Sequence, residues 1–379
     1  MRLRNPFACR GFGLPPELLL AGKVLALVIL WTGFWRTFPE PFLPFVPGMD
    51  AFPAGVVRYG LTGMLVAGCW GLLLNVWVRG AAFVAGAAIL LAIGSSRVYY
   101  GNNHLLAGLL LVLLGLYTER WGRALLRGQI ALVYFGAGLN KLLDADWRSG
   151  RFFEYWATVT NPVAHLGEPW VAVVCSWGTI GIELGLAAGL LWPRTRRGAV
   201  WVSLLFHTAL LMAAGKTFGL FYYAMAAAML FFTEWPEERP VVIYDGDCGL
   251  CNATRRLVEW IDGDGYLDWR ALQTGVGGRY GLAREALTEK LHVVAGARVW
   301  TGFEAVKAVA MWLPGLYLAL AFAVMEAGRV EGWREGLVAV VLFGFSPLAR
   351  SLGEWGYGVV ARNRRRLWPG SQCEVSPKQ

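Results

Sequence analysis

Most of this chain shows neither the two-residue nor the 3.6-residue alternation of a water-facing element. Apolar runs occupy residues 18–35, 59–78, 81–95, 104–117, 129–143, 170–192, 199–214 and 218–232. A helix needs about 20 apolar residues to cross hydrocarbon, so the eight runs predict eight transmembrane helices, several completed by flanking residues. At residues 233–240 the sequence Thr-Glu-Trp-Pro-Glu-Glu-Arg-Pro ends this regime, because two prolines do not fit a continuing helix. Short β-branched runs and helical periodicity follow: a strand at 241–244, a helix at 251–261, strands at 267–271 and 291–294, and a helix at 305–313. The predicted fold is a multi-pass α-helical membrane bundle over residues 1–236, fused to a small α/β domain over 237–379. Within that domain the apolar runs 316–325 and 337–345 flank a charged turn. Each is too short to span, which predicts an inserted hairpin over 316–345 lying in the membrane interface or against the bundle.

Composition agrees with a membrane protein. Of 379 residues 56% are hydrophobic and 16% charged, and the mean hydropathy is +0.46. A net charge of +9 in a soluble chain would suggest nucleic acid, but here the arginines cluster in short loops. With the N-terminus inside, Arg2, Arg4, Arg10, Arg79, Arg120, Arg123, Arg127, Arg194, Arg196 and Arg197 face the cytoplasm. The other side receives Arg97, Arg148, Arg151 and Lys216. This asymmetry predicts a plasma-membrane protein with its N-terminus and C-terminal domain both cytoplasmic. The lipid bilayer is then the expected partner, nucleic acid is not, and no cleavable signal peptide is expected.

Six cysteines are present, and no secreted disulfide framework is evident. Cys69 and Cys175 sit in apolar runs, where a small buried hydrophobe is the simpler reading. Cys248 and Cys251 differ: they form Cys-x-x-Cys within Tyr-Asp-Gly-Asp-Cys-Gly-Leu-Cys-Asn (244–252), between a predicted strand and a predicted helix. A thiol at a helix N-terminus has its thiolate stabilised by unpaired N–H groups and the macrodipole. Zinc would need a second Cys or Cys-His pair at suitable spacing, and none is found, so no metal is expected. Asp245 and Asp247 either tune the thiol or cap the helix. The β-α-β opening fits a thioredoxin-like layer.

On these residues, together with 267–269, Gly302, Ala305, Leu313, Pro314 and the tail 356–364, the C-terminal part resembles the DCC1-like thiol-disulfide oxidoreductases. Glu304 stands where an Asp is expected, and the hairpin looks inserted. The resemblance implies a redox-active disulfide, with Cys248 as attacking and Cys251 as resolving thiol, acting on a thiol or disulfide protein or peptide.

The membrane part resembles the horizontally transferred transmembrane (HTTM) family, relatives of the vitamin K-dependent gamma-carboxylase. The likeness rests on Gly-Asn-Asn-His (101–104), Tyr-Phe-Gly-Ala-Gly-Leu-Asn-Lys (134–141) with Asp-Ala-Asp-Trp-Arg-Ser-Gly (144–150), Phe206-His207 and the exit at 230–236. It implies Lys141 as the base that deprotonates a reduced quinone and His104 as its assistant. It further implies a quinone or quinol, menaquinone-like, held by Asn103, Tyr134 and Asn140. Independently, the fourth predicted span begins near His104 and the fifth ends near Lys141, so antiparallel neighbours would place both at one depth. A lysine at the hydrocarbon edge either snorkels to the headgroups or serves as a base. Glu183 and His207 lie mid-span and face either the site or a neighbouring helix. The carboxylase carries a large domain after its helices where this chain carries the redox domain, so carboxylation of a peptide glutamate is disfavoured.

These readings converge on an integral membrane oxidoreductase that couples a quinone-binding bundle to a thiol-disulfide domain. Two alternatives stay open: a membrane-anchored thiol-disulfide oxidoreductase whose helices are not catalytic, and an accessory protein for maturation of, or immunity to, a secreted peptide.

Overall fold

A computed structural model describes residues 5–37, 53–95, 99–160, 168–214, 219–327, Gly336 and 349–367. Arg2, Arg4, Arg97, Lys216 and the second arm of the predicted hairpin, 337–345, lie outside the described residues. The chain divides into two compact units, Gly11–Glu234 and Met1–Arg10 with Trp235–Gln379.

The first unit is helical: α1 (Pro16–Trp31), α2 (Ala54–Leu73), α3 (Val78–Ser95), α4 (Asn102–Gly115), α5 (Gly122–Leu143), α6 (Ala145–Ser149), α7 (Arg151–Thr160), α8 (Pro169–Leu191), α9 (Arg196–Ala214) and α10 (Gly219–Met229). Among the described residues α2, α3 and α8 are long and apolar enough to cross a membrane, while α4 and the run Phe221–Phe232 are apolar but shorter. The predicted eight spans are therefore not all recognisable by length and composition. α1, which carries Glu17 and Lys23, falls short in length at 16 residues, and charge lowers the apolar character of α5, which carries Arg123, Arg127 and Lys141. These charges are used inside the unit. Arg123 pairs with Glu17 at 2.5 Å and donates to the Thr233 carbonyl at 3.0 Å, and Arg127 donates to the Phe231 carbonyl at 2.7 Å. They tie α1 and α5 to the 3-10 turn Leu230–Phe232 that ends the bundle. Elsewhere small residues set the packing: a Cβ on Gly86 would lie 2.6 Å from the Val112 amide, so α3 and α4 approach backbone to backbone.

The second unit holds a four-stranded mixed sheet, β1 (Val241–Tyr244), β2 (Asp268–Ala271), β3 (His292–Ala295) and β4 (Arg298–Thr301), in the order β2-β1-β3-β4. β1 runs parallel to β2, with α11 (Gly249–Ile261) between them, and antiparallel to β3. Alternation along β1 and β3 builds two cores. Val242 and Val293 face one with Tyr266, Ala305, Val309 and Trp312, and Ile243 and Val294 face the other with Leu272, Val276 and Leu287. The first is covered by α13 (Gly302–Trp312), the second by α12 (Arg284–Glu289). The edge strand β4 escapes sequence reading because its side chains are mostly exposed; a two-residue turn with Gly296 at φ 55° returns the chain to it. From α13 the chain bends by 91° at Leu313 into α14 (Pro314–Ala327), which holds the first arm of the predicted hairpin, and α15 (Arg350–Leu367) ends the described residues.

Residues 5–10, counted with the bundle by the sequence pattern, belong to this second unit. Asp264 accepts the backbone N–H of Cys9 at 2.6 Å and of Arg10 at 3.1 Å. The Arg10 guanidinium lies over the Tyr266 ring at 3.4 Å, and Phe7 meets Trp260 edge to face at 5.1 Å.

Asp264→Ala leaves two backbone donors without their charged acceptor, a loss of about 2 kcal/mol. Amide hydrogen exchange across residues 5–10 should accelerate about 30-fold; an unchanged rate would show that the arm is not anchored there. A second expectation concerns His292, buried on β3, whose Nδ1 lies 2.9 Å from the Lys290 carbonyl. Burial holds its imidazole below the ordinary value of 6.5, the carbonyl bond partly opposing this. The unfolded chain binds the proton more readily, so this contribution to stability is complete above pH 6.5 and is lost as pH falls below it. Denaturation of the second unit followed against pH should show that slope, and His292→Gln should flatten it.

Candidate functional site

In the bundle, α5 and α8 meet at Gly138. A Cβ on Gly138 would lie 2.8 Å from Leu184, so the helices approach closely there. One turn on from Gly138, Lys141 faces the residue before Leu184, which is Glu183. The Lys141 ammonium donates to both carboxylate oxygens of Glu183, at 2.7 and 2.9 Å, and lies 5.0 Å from the Trp147 ring. Both side chains are largely covered, 19% and 10% exposed. Lys141 therefore does not snorkel away from the bundle; it is held by a carboxylate.

The pair borders a cavity of about 630 Å³. Two turns back along α5, Tyr134 lines the same cavity and bonds to Ser203 through its hydroxyl at 2.7 Å, with His207 Nδ1 at 3.4 Å. Ser203 and His207 are four residues apart on α9, hence on one face. The aromatic wall comes from the short elbow after α5. Asp144 caps α6 by accepting the Asp146 N–H, and Gly150 closes α6 at φ 86°, where a Cβ would sit 2.8 Å from the Val173 amide. This turn places Trp147, Phe152, Phe153 and Trp156 on the cavity, with Trp147 and Phe152 stacked at 4.0 Å. Phe206 and Phe221 line it as well.

Of the residues expected here, Lys141, Glu183, Tyr134, His207, Asn103 and Asn140 all line the cavity. His104 is not among its lining residues, unlike its neighbour Asn103. Its Nδ1 lies 2.7 Å from the Tyr99 carbonyl, and its ring stacks on Tyr99 at 4.8 Å. Matching depth does not fix rotation about the helix axis, and one residue turns the side chain by about 100°. Ser203 and the phenylalanines of α7 carry no sequence signal of their own, and Trp147 enters the sequence reading only within the 144–150 motif.

In the second unit, Cys248 and Cys251 stand at the start of α11 with no disulfide between them. Cys248 is the N-cap, and its sulfur receives the Cys251 N–H at 3.4 Å. Cys248 is buried at 4% exposure and Cys251 is half-buried. The capping position thus belongs to a thiol and not to Asp245 or Asp247. The Asp245 carboxylate instead accepts the Asp247 N–H at 3.1 Å, folding the loop on itself. Gln273, 25 residues beyond Cys248 and without a motif of its own, completes the loop. Its Nε2 donates to Asp245 at 3.0 Å and to Asp247 at 2.8 Å, and its Oε1 accepts the Gly246 N–H at 3.1 Å. On the other side Asn252 donates to the Gly246 carbonyl at 2.6 Å and the Cys248 carbonyl at 3.2 Å.

Gln273 is thus a positioning residue for the thiol loop. Gln273→Ala removes the donor shared by two carboxylates, leaving their charge less offset near the sulfur and disfavouring the thiolate. The reduced pair loses stability, so its midpoint potential in a glutathione titration should become more negative. An unchanged potential with intact folding would mean that Gln273 is structural only.

Two sequence-family profiles match the chain. The HTTM domain covers residues 117–235, from before α5 to the end of the bundle, and includes Lys141, Glu183, Ser203 and His207. The DCC1-like thiol-disulfide oxidoreductase covers residues 242–335, with Cys248, Cys251 and Gln273. No solved structure matches. The chain thus carries a match to an HTTM domain followed by a match to a DCC1-like thiol-disulfide oxidoreductase domain, with helices long and apolar enough to cross a membrane.

Proposed function

We propose that this thiol-disulfide redox protein of the membrane couples its two domains, the bundle binding a quinone or quinol and the Cys248–Cys251 pair exchanging electrons. The observation that carries the reading is the cavity beside Lys141 and Glu183. Its volume of about 630 Å³ lies in the range that encloses a small ligand. Six Phe and Trp side chains line the space available to a flat ring, and two polar groupings, Lys141–Glu183 and Tyr134–Ser203–His207, offer partners for ring oxygens. The residues present therefore fit a quinone head. A quinone supplies two-electron, two-proton redox chemistry when bound. Oxidation of the Cys248 and Cys251 thiols to a disulfide releases the same two electrons and two protons, so the stoichiometries of the centres match.

The sheet order and the strand-to-helix position of the cysteines support a thioredoxin-like layer. Residues 5–10 and the C-terminal domain share one compact unit, which supports placing both on one side of the membrane. An even number of crossings follows, in keeping with eight, and the arginine distribution favours the cytoplasmic face of a plasma membrane. The reading in which only the thiol domain is catalytic also has support, because Gln273, Asn252, Asp245 and Asp247, which hold the thiol loop, come from that domain itself.

Protein purified in mild detergent should carry co-extracted quinone. Lys141→Ala should lower both its occupancy and turnover, while Cys248→Ser should abolish turnover and leave occupancy intact. Unchanged occupancy and turnover in Lys141→Ala would remove the bundle from the mechanism and leave the thiol domain as the active part.

A further inference from the structure

We propose that Glu183, not Lys141, is the proton acceptor of the bundle cavity, and that Lys141 acts as a permanent cation beside it. The inference rests on the quinol reading above and assigns its acid–base chemistry. An amine accepts a proton only through a free lone pair. In the structure the Lys141 nitrogen is directed at both oxygens of one carboxylate, at 2.7 and 2.9 Å, with a third contact to the Ala137 carbonyl at 3.5 Å. All three partners are acceptors, so the nitrogen is satisfied as an ammonium with three donors, and a neutral amine would turn its lone pair toward an oxygen. In such a pair the basic member is the carboxylate.

Glu183 is placed to serve. It lies mid-way along α8, lines the cavity, and is 10% exposed, with Thr179 one turn earlier on the same wall. A ligand O–H directed into this end of the cavity meets a carboxylate already held in position by the lysine.

The transfer balances without a further reactant. The ligand O–H bond breaks and its electron pair stays on the ligand oxygen. The proton goes to a Glu183 carboxylate oxygen, which becomes a neutral acid. Lys141 keeps its charge and turns from the carboxylate to the oxygen that lost the proton. The net charge of the pair and ligand is zero before and after, so no uncompensated charge appears away from water. Trp147, 5.0 Å from the ammonium, keeps the cation favourably placed while it exchanges one oxygen partner for another.

The test separates the two assignments through Lys141→Arg, because a guanidinium remains charged and cannot serve as the base. The full-length protein is placed in nanodiscs and loaded with 2-methyl-1,4-naphthoquinol, and infrared difference spectra are compared with those of protein loaded with the oxidised quinone. Wild type and Lys141→Arg should both gain a protonated-carboxyl band with the quinol alone, and Lys141→Arg should keep turnover within about tenfold. Glu183→Gln should lack the band and lose turnover by about a hundredfold or more. Loss of proton transfer in Lys141→Arg, with Glu183→Gln still competent, would overturn the proposal and return the base to lysine. A band that persists in Glu183→Gln would overturn it by assigning the proton to another carboxyl. Absence of saturable naphthoquinol binding to wild type is a different outcome: it would overturn the quinol reading, and this assignment with it.

Discussion

The ion pair between Lys141 and Glu183 is the constraint on which the membrane half depends. Two opposite charges largely removed from water are tolerable only when each satisfies the other, and this fixes how α5 and α8 meet. Gly138 permits the close approach, and the elbow Asp144 to Gly150 turns the chain back so that Trp147 comes near the ammonium. Lys141, Tyr134 and four aromatic side chains of the cavity wall come from one continuous stretch of chain, residues 134–156, and Glu183, Phe206, His207 and Phe221 complete the lining from other helices.

The redox half obeys a different economy of contacts. Its thiols sit at the start of a helix, where backbone N–H groups lack partners, and one of those groups is given to sulfur. Two aspartates so near a prospective thiolate would oppose its charge, and Gln273 answers both with one amide. The loop is thus closed by a residue from beyond β2 and by Asn252 from within α11.

Much of this was legible in the sequence because it rests on local signals. The Cys-x-x-Cys loop, the strand before it and the helix after it follow from short patterns, and Lys141 stands out as a charge at the edge of an apolar run. What escaped is rotational or distant. Whether Asn103 or His104 faces the cavity depends on an angle about α4 that depth along the chain does not fix, and the Tyr99 carbonyl captures the histidine. Glu183 was visible as a mid-span charge, but nothing local said that Lys141 would be its partner, 42 residues earlier. Gln273 has no motif, and the aromatics of α6 and α7 are indistinguishable by composition from those of an interfacial belt. Residues 5–10 are too short to show any period, so their place in the second unit follows from distant partners such as Asp264, Tyr266 and Trp260.

The central claim is that the bundle holds a flat, oxygen-bearing guest against the carboxylate that Lys141 positions. A high-resolution structure of the full-length protein purified from its own membrane tests this most directly. The account predicts planar density between α5 and α8, with an oxygen within hydrogen-bond distance of Glu183 and a ring against Trp147 or Phe152. Density for an acyl chain or water in that space, with the Lys141–Glu183 pair untouched by any ligand oxygen, would contradict it.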